Sequence, residues 1–131
     1  MKKIFLLFGL GLLMSCGSSR QLEANEITNE ELGYNPSHPI LVGSNDLRYG
    51  PEYEQNYLNN LSGPNGEVIS YTRLGSCCEF ATPKGIMGGG MLDKYEIKYE
   101  GLEKPIILYL NMYEPAPKEI KVPSGLKLKE N

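Results

Sequence analysis

Tryptophan is absent from this 131-residue chain, histidine occurs once at His38, and cysteine occurs only at Cys16, Cys77 and Cys78. So small a stock of soft ligands does not resemble a zinc ribbon, which draws on four well-spaced side chains, and the adjacent Cys77-Cys78 lacks the spacing of a Cys-x-x-Cys pair. A single histidine also leaves no choice of base for a catalytic triad. His38, between Pro36 and Pro39, reads as a surface residue, and the plentiful serines and carboxylates show no spacing that marks a nucleophile or an acid/base pair. No run of Lys or Arg is present, which argues against nucleic acid and anionic lipid headgroups as partners. Nor is there an internal repeat, or an apolar run of the roughly 20 residues that a membrane-spanning helix requires.

What is present is concentrated at the start. Lys2-Lys3 forms a basic segment, and Ile4 to Leu13 is apolar except for Gly9 and Gly11. This is the layout of a signal peptide. Leu13-Met14-Ser15-Cys16 places Leu three residues before a cysteine and a small residue directly before it. The arrangement resembles the lipobox cut by lipoprotein signal peptidase, and the resemblance implies removal of residues 1–15 and a diacylglyceryl thioether and acyl chain (palmitate or similar) on Cys16. Two or three chains together anchor stably where one would be marginal. Gly17, rather than Asp, follows the cysteine, which by the sorting rule of enteric bacteria points to the outer membrane of a Gram-negative envelope. Cleavage removes two of the 13 basic side chains and none of the 16 acidic ones, so the formal charge moves from −3 to −5.

Residues 16–38 are polar and acidic, with Glu23, Glu26, Glu30 and Glu31 and only scattered Leu22, Ile27 and Leu32. Such a segment buries too little apolar area to offset its ordering entropy. It reads as a disordered, flexible tether that holds a domain roughly 25 Å from the lipid. The domain is expected over residues 39–123, with 124–131 as a C-terminal tail.

Its fold class is expected to be α+β: a small antiparallel sheet with one packed helix. Ile40-Leu41-Val42 after Pro39 suits an edge strand. A helix is expected from Pro51, with Glu52 and Glu54 near its positive end and Gly63-Pro64 as its stop. Tyr53, Tyr57, Leu58 and Leu61 recur at helical spacing and form its apolar face. Asn65-Gly66 marks a turn into an alternating stretch, Val68 to Leu74. Tyr95, Ile97 and Tyr99 alternate with Lys94, Glu96, Lys98 and Glu100, as in an antiparallel strand with one wet face. Ile106 to Tyr113 is apolar on both faces and predicts the central strand, paired to the previous one by a hairpin. Pro115, Pro117 and Pro123 predict an irregular C-terminal stretch.

Cys77-Cys78 is the chemical oddity, and four fates are open to it. Across a trans peptide the Cα atoms lie near 3.8 Å, below the usual disulfide range, so a vicinal disulfide would be strained and easily reduced. Both thiolates would otherwise bind a soft metal with His38 as a third ligand, or pair between two molecules. The last possibility is two free thiols on a strand, one in the core and one at its edge, because free cysteine is among the most buried residue types. Gly88-Gly89-Gly90 lacks the Lys-Ser/Thr of a phosphate loop and reads as a hairpin loop or a place of close backbone approach. No metal or cofactor is expected.

The words Tyr57-Leu58-Asn59, Gly63-Pro64-Asn65-Gly66, Gly75-Ser76-Cys77-Cys78-Glu79-Phe80, Gly88-Gly89-Gly90, Leu92-Asp93-Lys94-Tyr95-Glu96, Tyr99-Glu100-Gly101 and Leu108-Tyr109-Leu110-Asn111-Met112-Tyr113 span about residues 50–114. Together they resemble a family of small bacterial lipoproteins of unknown function, whose members often carry the label 2-dehydro-3-deoxyphosphooctonate aldolase. The aldolase of that name is a cytoplasmic (β/α)₈ barrel of about 250 residues. This chain has about half that length, a hairpin-rich pattern and an export signal, so the resemblance implies a lipoprotein and brings no catalytic residue. The function expected is an envelope domain, anchored to the membrane through Cys16, with a binding or structural role toward an envelope protein or small ligand. The rival is a thiol redox or metal-handling module built on Cys77-Cys78, with an enzyme such as the aldolase third.

Overall fold

In a computed structural model, the structure describes residues 31–131. The expected signal peptide, Cys16 and most of the expected tether lie outside the described residues. The elements are β1 (Ile40–Gly43), α1 (Gly50–Asn59), β2 (Leu61–Ser62), β3 (Ser70–Ala81), β4 (Gly89–Lys98), β5 (Ile106–Pro115) and β6 (Lys127–Leu128). The fold is α+β: one helix lies on a four-stranded sheet of order β1-β5-β4-β3, beside a two-stranded β2-β6 ribbon.

The sheet is mixed rather than wholly antiparallel. β3 with β4 and β4 with β5 are antiparallel, but β1 runs parallel to β5. The reason is α1, which carries the chain from β1 at one edge to β3 at the other, so that both edge strands run the same way. β5, the most apolar segment, is flanked by β1 and β4, as its two-sided pattern predicts.

Helix α1 starts on Gly50-Pro51 and ends at Asn59, one turn short of Gly63-Pro64. Leu61 therefore belongs to β2, where it is fully buried. The stripe i, i+4, i+8 of the helix is Gly50, Glu54 and Leu58, and all three are buried. Gly50 brings the helix against Met112, whose Sδ occupies the space a Cβ would need. Leu58, Leu61, Ile97, Leu108 and Leu110 have no exposed surface and, with Ile40, Val42, Tyr95 and Leu126, form the core. Each such side chain contributes about 1.5–3 kcal/mol through burial.

Two expected boundaries move outward. Residues 31–38, assigned above to the tether, are turns packed on the sheet: Leu32 is buried, Tyr109 donates its backbone N–H to the Gly33 carbonyl at 2.8 Å, and Gly33 donates to the His38 carbonyl at 2.7 Å. One buried leucine and an otherwise unpaired stretch of β5 edge are enough to order a segment that composition reads as coil. The C-terminal tail likewise joins the fold. Leu126 is buried, Leu61 and Ser62 pair with Leu128 and Lys127, and Lys129 donates to the Asn60 carbonyl at 2.8 Å. Between Pro115 and Leu126 no strand forms, as the three prolines predict.

Strand β3 is longer than the Val68–Leu74 stretch. It begins at Ser70, leaves Val68 exposed, and continues to Ala81 through two register shifts, at Leu74 and at Cys78. Each shift inserts one residue and inverts the alternation, which hides a strand from a period-two reading.

Candidate functional site

Three features of this scaffold bear on function: the cysteine pair, a buried carboxyl network and an apolar cleft. Cys77 and Cys78 lie on β3, which has β4 on one side and no strand on the other. Cys77 stands opposite Leu92 and Glu79 opposite Met91, so Cys78 is the extra residue of a bulge. Its φ of 58° is left-handed, one of two such values among non-glycine residues of the described chain. For an L-residue this conformation costs about 1–2 kcal/mol. The two sulfurs lie within bonding reach across a trans peptide, with Cα atoms 3.8 Å apart. Cys77 is half-buried and Cys78 exposed. Cys78, Phe80, Leu92 and Asn111 border a hollow of about 430 Å³ that Pro36 and Ser37 also line.

His38, the expected third ligand, does not join the cysteines. Its Nδ1 lies 3.6 Å from Glu31 Oε2, and among the described residues no group of three His, Cys, Asp or Glu side chains is placed to hold a metal. Gly88, Gly89 and Gly90 sit at the β3–β4 hairpin. Gly88 (φ 78°) accepts from the Thr82 N–H at 3.0 Å, and Gly90 lies under the edge-to-face pair Phe80 and Tyr113, where a Cβ would come within 3.0 Å of three side chains. They allow a tight turn and a close ring contact, and the Gly88 and Gly89 N–H groups donate to the Gly85 and Ile86 carbonyls.

The carboxyl network was not foreseen. Glu54, fully buried in the helix stripe, accepts a hydrogen bond from Tyr95 Oη at 2.8 Å on Oε2, and its Oε1 has no partner. Beside it Asp93, 5 % exposed, accepts from Arg73 at 2.6 Å and from Ser76 Oγ at 3.0 Å. Arg73 also donates to Ser76 Oγ at 2.8 Å. Burial, and then the neighbouring Asp93 carboxylate, push the Glu54 carboxyl up to about 8, against the opposing pull of the Tyr95 hydroxyl. Glu54 is therefore protonated at neutral pH. Burial and Glu54 push Tyr95 upward as well, while Asp93 raises Arg73. The network holds helix to sheet and has no open side at Glu54 from which a substrate is reached. The only sequence clue was position: Glu54 falls between Tyr53 and Tyr57-Leu58, inside the apolar stripe.

The cleft, of about 390 Å³, opens between β1, α1 and the irregular segment 116–121. Leu41, Val42, Tyr53, Tyr57 and Ile120 give it apolar walls, and Asn56 and Asn60 stand at its polar side. Both tyrosine hydroxyls are engaged elsewhere: Tyr57 donates to the Lys121 carbonyl at 2.6 Å, and Tyr53 accepts from Ser44 Oγ at 2.8 Å. They act as fixed walls. Leu41 and Ile120 remain 37 % and 58 % exposed, so the cleft presents uncovered apolar surface. Comparison with family models, curated proteins and solved structures finds no match.

Proposed function

We propose that this chain is a lipid-anchored cell-envelope module that binds an apolar ligand in the cleft between β1, α1 and residues 116–121. The open apolar cleft carries the binding reading. Preformed concave sites with apolar walls and a few polar groups are where small molecules are taken up. Anchoring rests on Lys2-Lys3, the Ile4–Leu13 run and Leu13-Met14-Ser15-Cys16; Gly17 favours the outer membrane. Two experiments test the two parts. Feeding cells an alkyne-tagged palmitate should label the chain, and Cys16→Ala should abolish the label and release the protein from membranes. Titration with a fluorescent long-chain fatty acid should saturate, and Leu41→Asp or Ile120→Asp should weaken binding at least about tenfold, since each places a charge on an apolar wall. Saturable binding unaffected by both substitutions would place the ligand elsewhere.

A second reading, a thiol redox module, is favoured by a different observation: the Cys77 and Cys78 sulfurs lie within bonding reach on an exposed strand edge. Intact mass of the freshly purified chain, with and without reductant, tests it by a difference of two hydrogens. An aldolase activity is not adopted. Among the described residues, one α-helix and a four-stranded sheet supply none of the eight βα loops on which that chemistry is built.

A further inference from the structure

We propose that Cys77-Cys78 is a thiol–disulfide exchange site with a fixed order of sulfurs, Cys78 being attacked and Cys77 leaving, and that its partner is a dithiol carried on a small molecule or a protruding loop. The proposal rests on the redox reading above and adds the order and the partner class. Order follows from access. The bulge takes Cys78 out of the β-ladder and leaves it exposed, whereas Cys77 is half-buried opposite Leu92 in the paired part of the strand. Which sulfur an incoming thiolate reaches is a matter of exposure and approach.

The partner class follows from the strand's outer edge. β3 has no neighbour on that side, yet its register is broken at Leu74 and again at Cys78, four residues apart. Bulged edges twist away from the flat ladder that an added strand needs. A partner that lays an extended strand along β3 is thus disfavoured, and one that reaches Cys78 end-on is not. In the step itself a partner thiolate attacks Cys78 Sγ, the bond to Cys77 breaks, and Cys77 leaves as a thiolate that takes up a proton. The partner's second thiolate then attacks the partner sulfur of the mixed disulfide and expels the Cys78 thiolate, which is protonated in turn. Two electrons and two protons pass from the dithiol to the cysteine pair, and the partner is left as a disulfide.

The test uses the full mature chain in detergent. Intact mass before any reductant first asks whether the pair is oxidised. Two free thiols in protein isolated without reductant would overturn the redox reading, and this proposal with it. If the bond is present, Cys77→Ser and Cys78→Ser chains are treated with oxidised glutathione and the rate of mixed-disulfide formation is followed by mass. The Cys77→Ser chain, which keeps Cys78, should react at least about tenfold faster than the Cys78→Ser chain. A second measurement avoids both variants: the unsubstituted oxidised chain is pulsed with glutathione, quenched in acid, alkylated and mapped by fragmentation, and the adduct should sit on Cys78. Equal rates with an adduct on Cys77 would overturn the order while leaving the redox reading intact.

Discussion

The two faces of the β3–β4 hairpin's surroundings are built on opposite principles. Where α1 covers the sheet, the side chains are packed into the core, and even the Glu54 carboxyl there is buried, protonated and hydrogen-bonded to Tyr95. Toward the hairpin's tip and outer edge, apolar side chains such as Leu74, Ile86, Met87 and Met91 are exposed, both left-handed non-glycine residues occur, and the strand register breaks twice. The covered half stores the stability. The open half carries the features that stability does not require, and it is there that reactive chemistry is tolerated.

The largest effect expected concerns Glu54, and it would break the comparison if absent. Its folded value, about 8, lies above the ordinary 4.5, so the fold favours the protonated form. The stabilisation is fully present at and below about pH 4.5 and is lost as pH rises through about 8. The whole swing amounts to at most about 5 kcal/mol, less whatever the fold recovers by admitting water. Urea midpoints at pH 5, 7 and 9 should therefore fall for the natural chain and stay level for Glu54→Gln. Parallel pH profiles would mean that Glu54 is ionised in the fold.

Next in size is the core beneath the helix. Leu58→Ala empties a fully buried site between α1 and the sheet and should cost about 3 kcal/mol, within the range known for buried leucines. Leu74→Ala, on the exposed bulge, should change stability by less than about 0.5 kcal/mol. Denaturant titration of the two variants side by side measures the contrast directly.

These contrasts also explain what could be read from the residues alone. α1 and β4 were legible because each is written in a period of 3.6 or 2, and the central place of β5 because its run is apolar on both faces; together they give the α+β class. β3 beyond Leu74 was not, because the inserted Leu74 and Cys78 invert its alternation at two points. The ordering of residues 31–38 and 124–131 was illegible for another reason: single apolar residues, Leu32 and Leu126, meet a core whose position only the tertiary fold defines. Parallel pairing of β1 with β5 is likewise a product of topology. At the candidate sites, Cys77-Cys78 stood out by composition, while Glu54 looked like an ordinary helix-start acid and the cleft had no signature, since residues 116–121 close it against the distant β1 and α1.

Small effects of opposite origin should come from the hairpin tip, where they sharpen the comparison most. Ile86 and Met87 are 90 % and 101 % exposed, so replacing both by Ser removes almost no buried area. Met87 also holds a φ of 55°. Met87→Gly removes the Cβ from a left-handed backbone and should therefore stabilise the fold by up to about 1 kcal/mol. Ile86→Ser should be neutral within about 0.5 kcal/mol. Thermal melts of the two single variants separate backbone strain from side-chain contact at this turn. A loss of stability for Ile86→Ser would show that the tip is covered in the folded protein, and the open half of the molecule would then be smaller than the sheet's outline makes it.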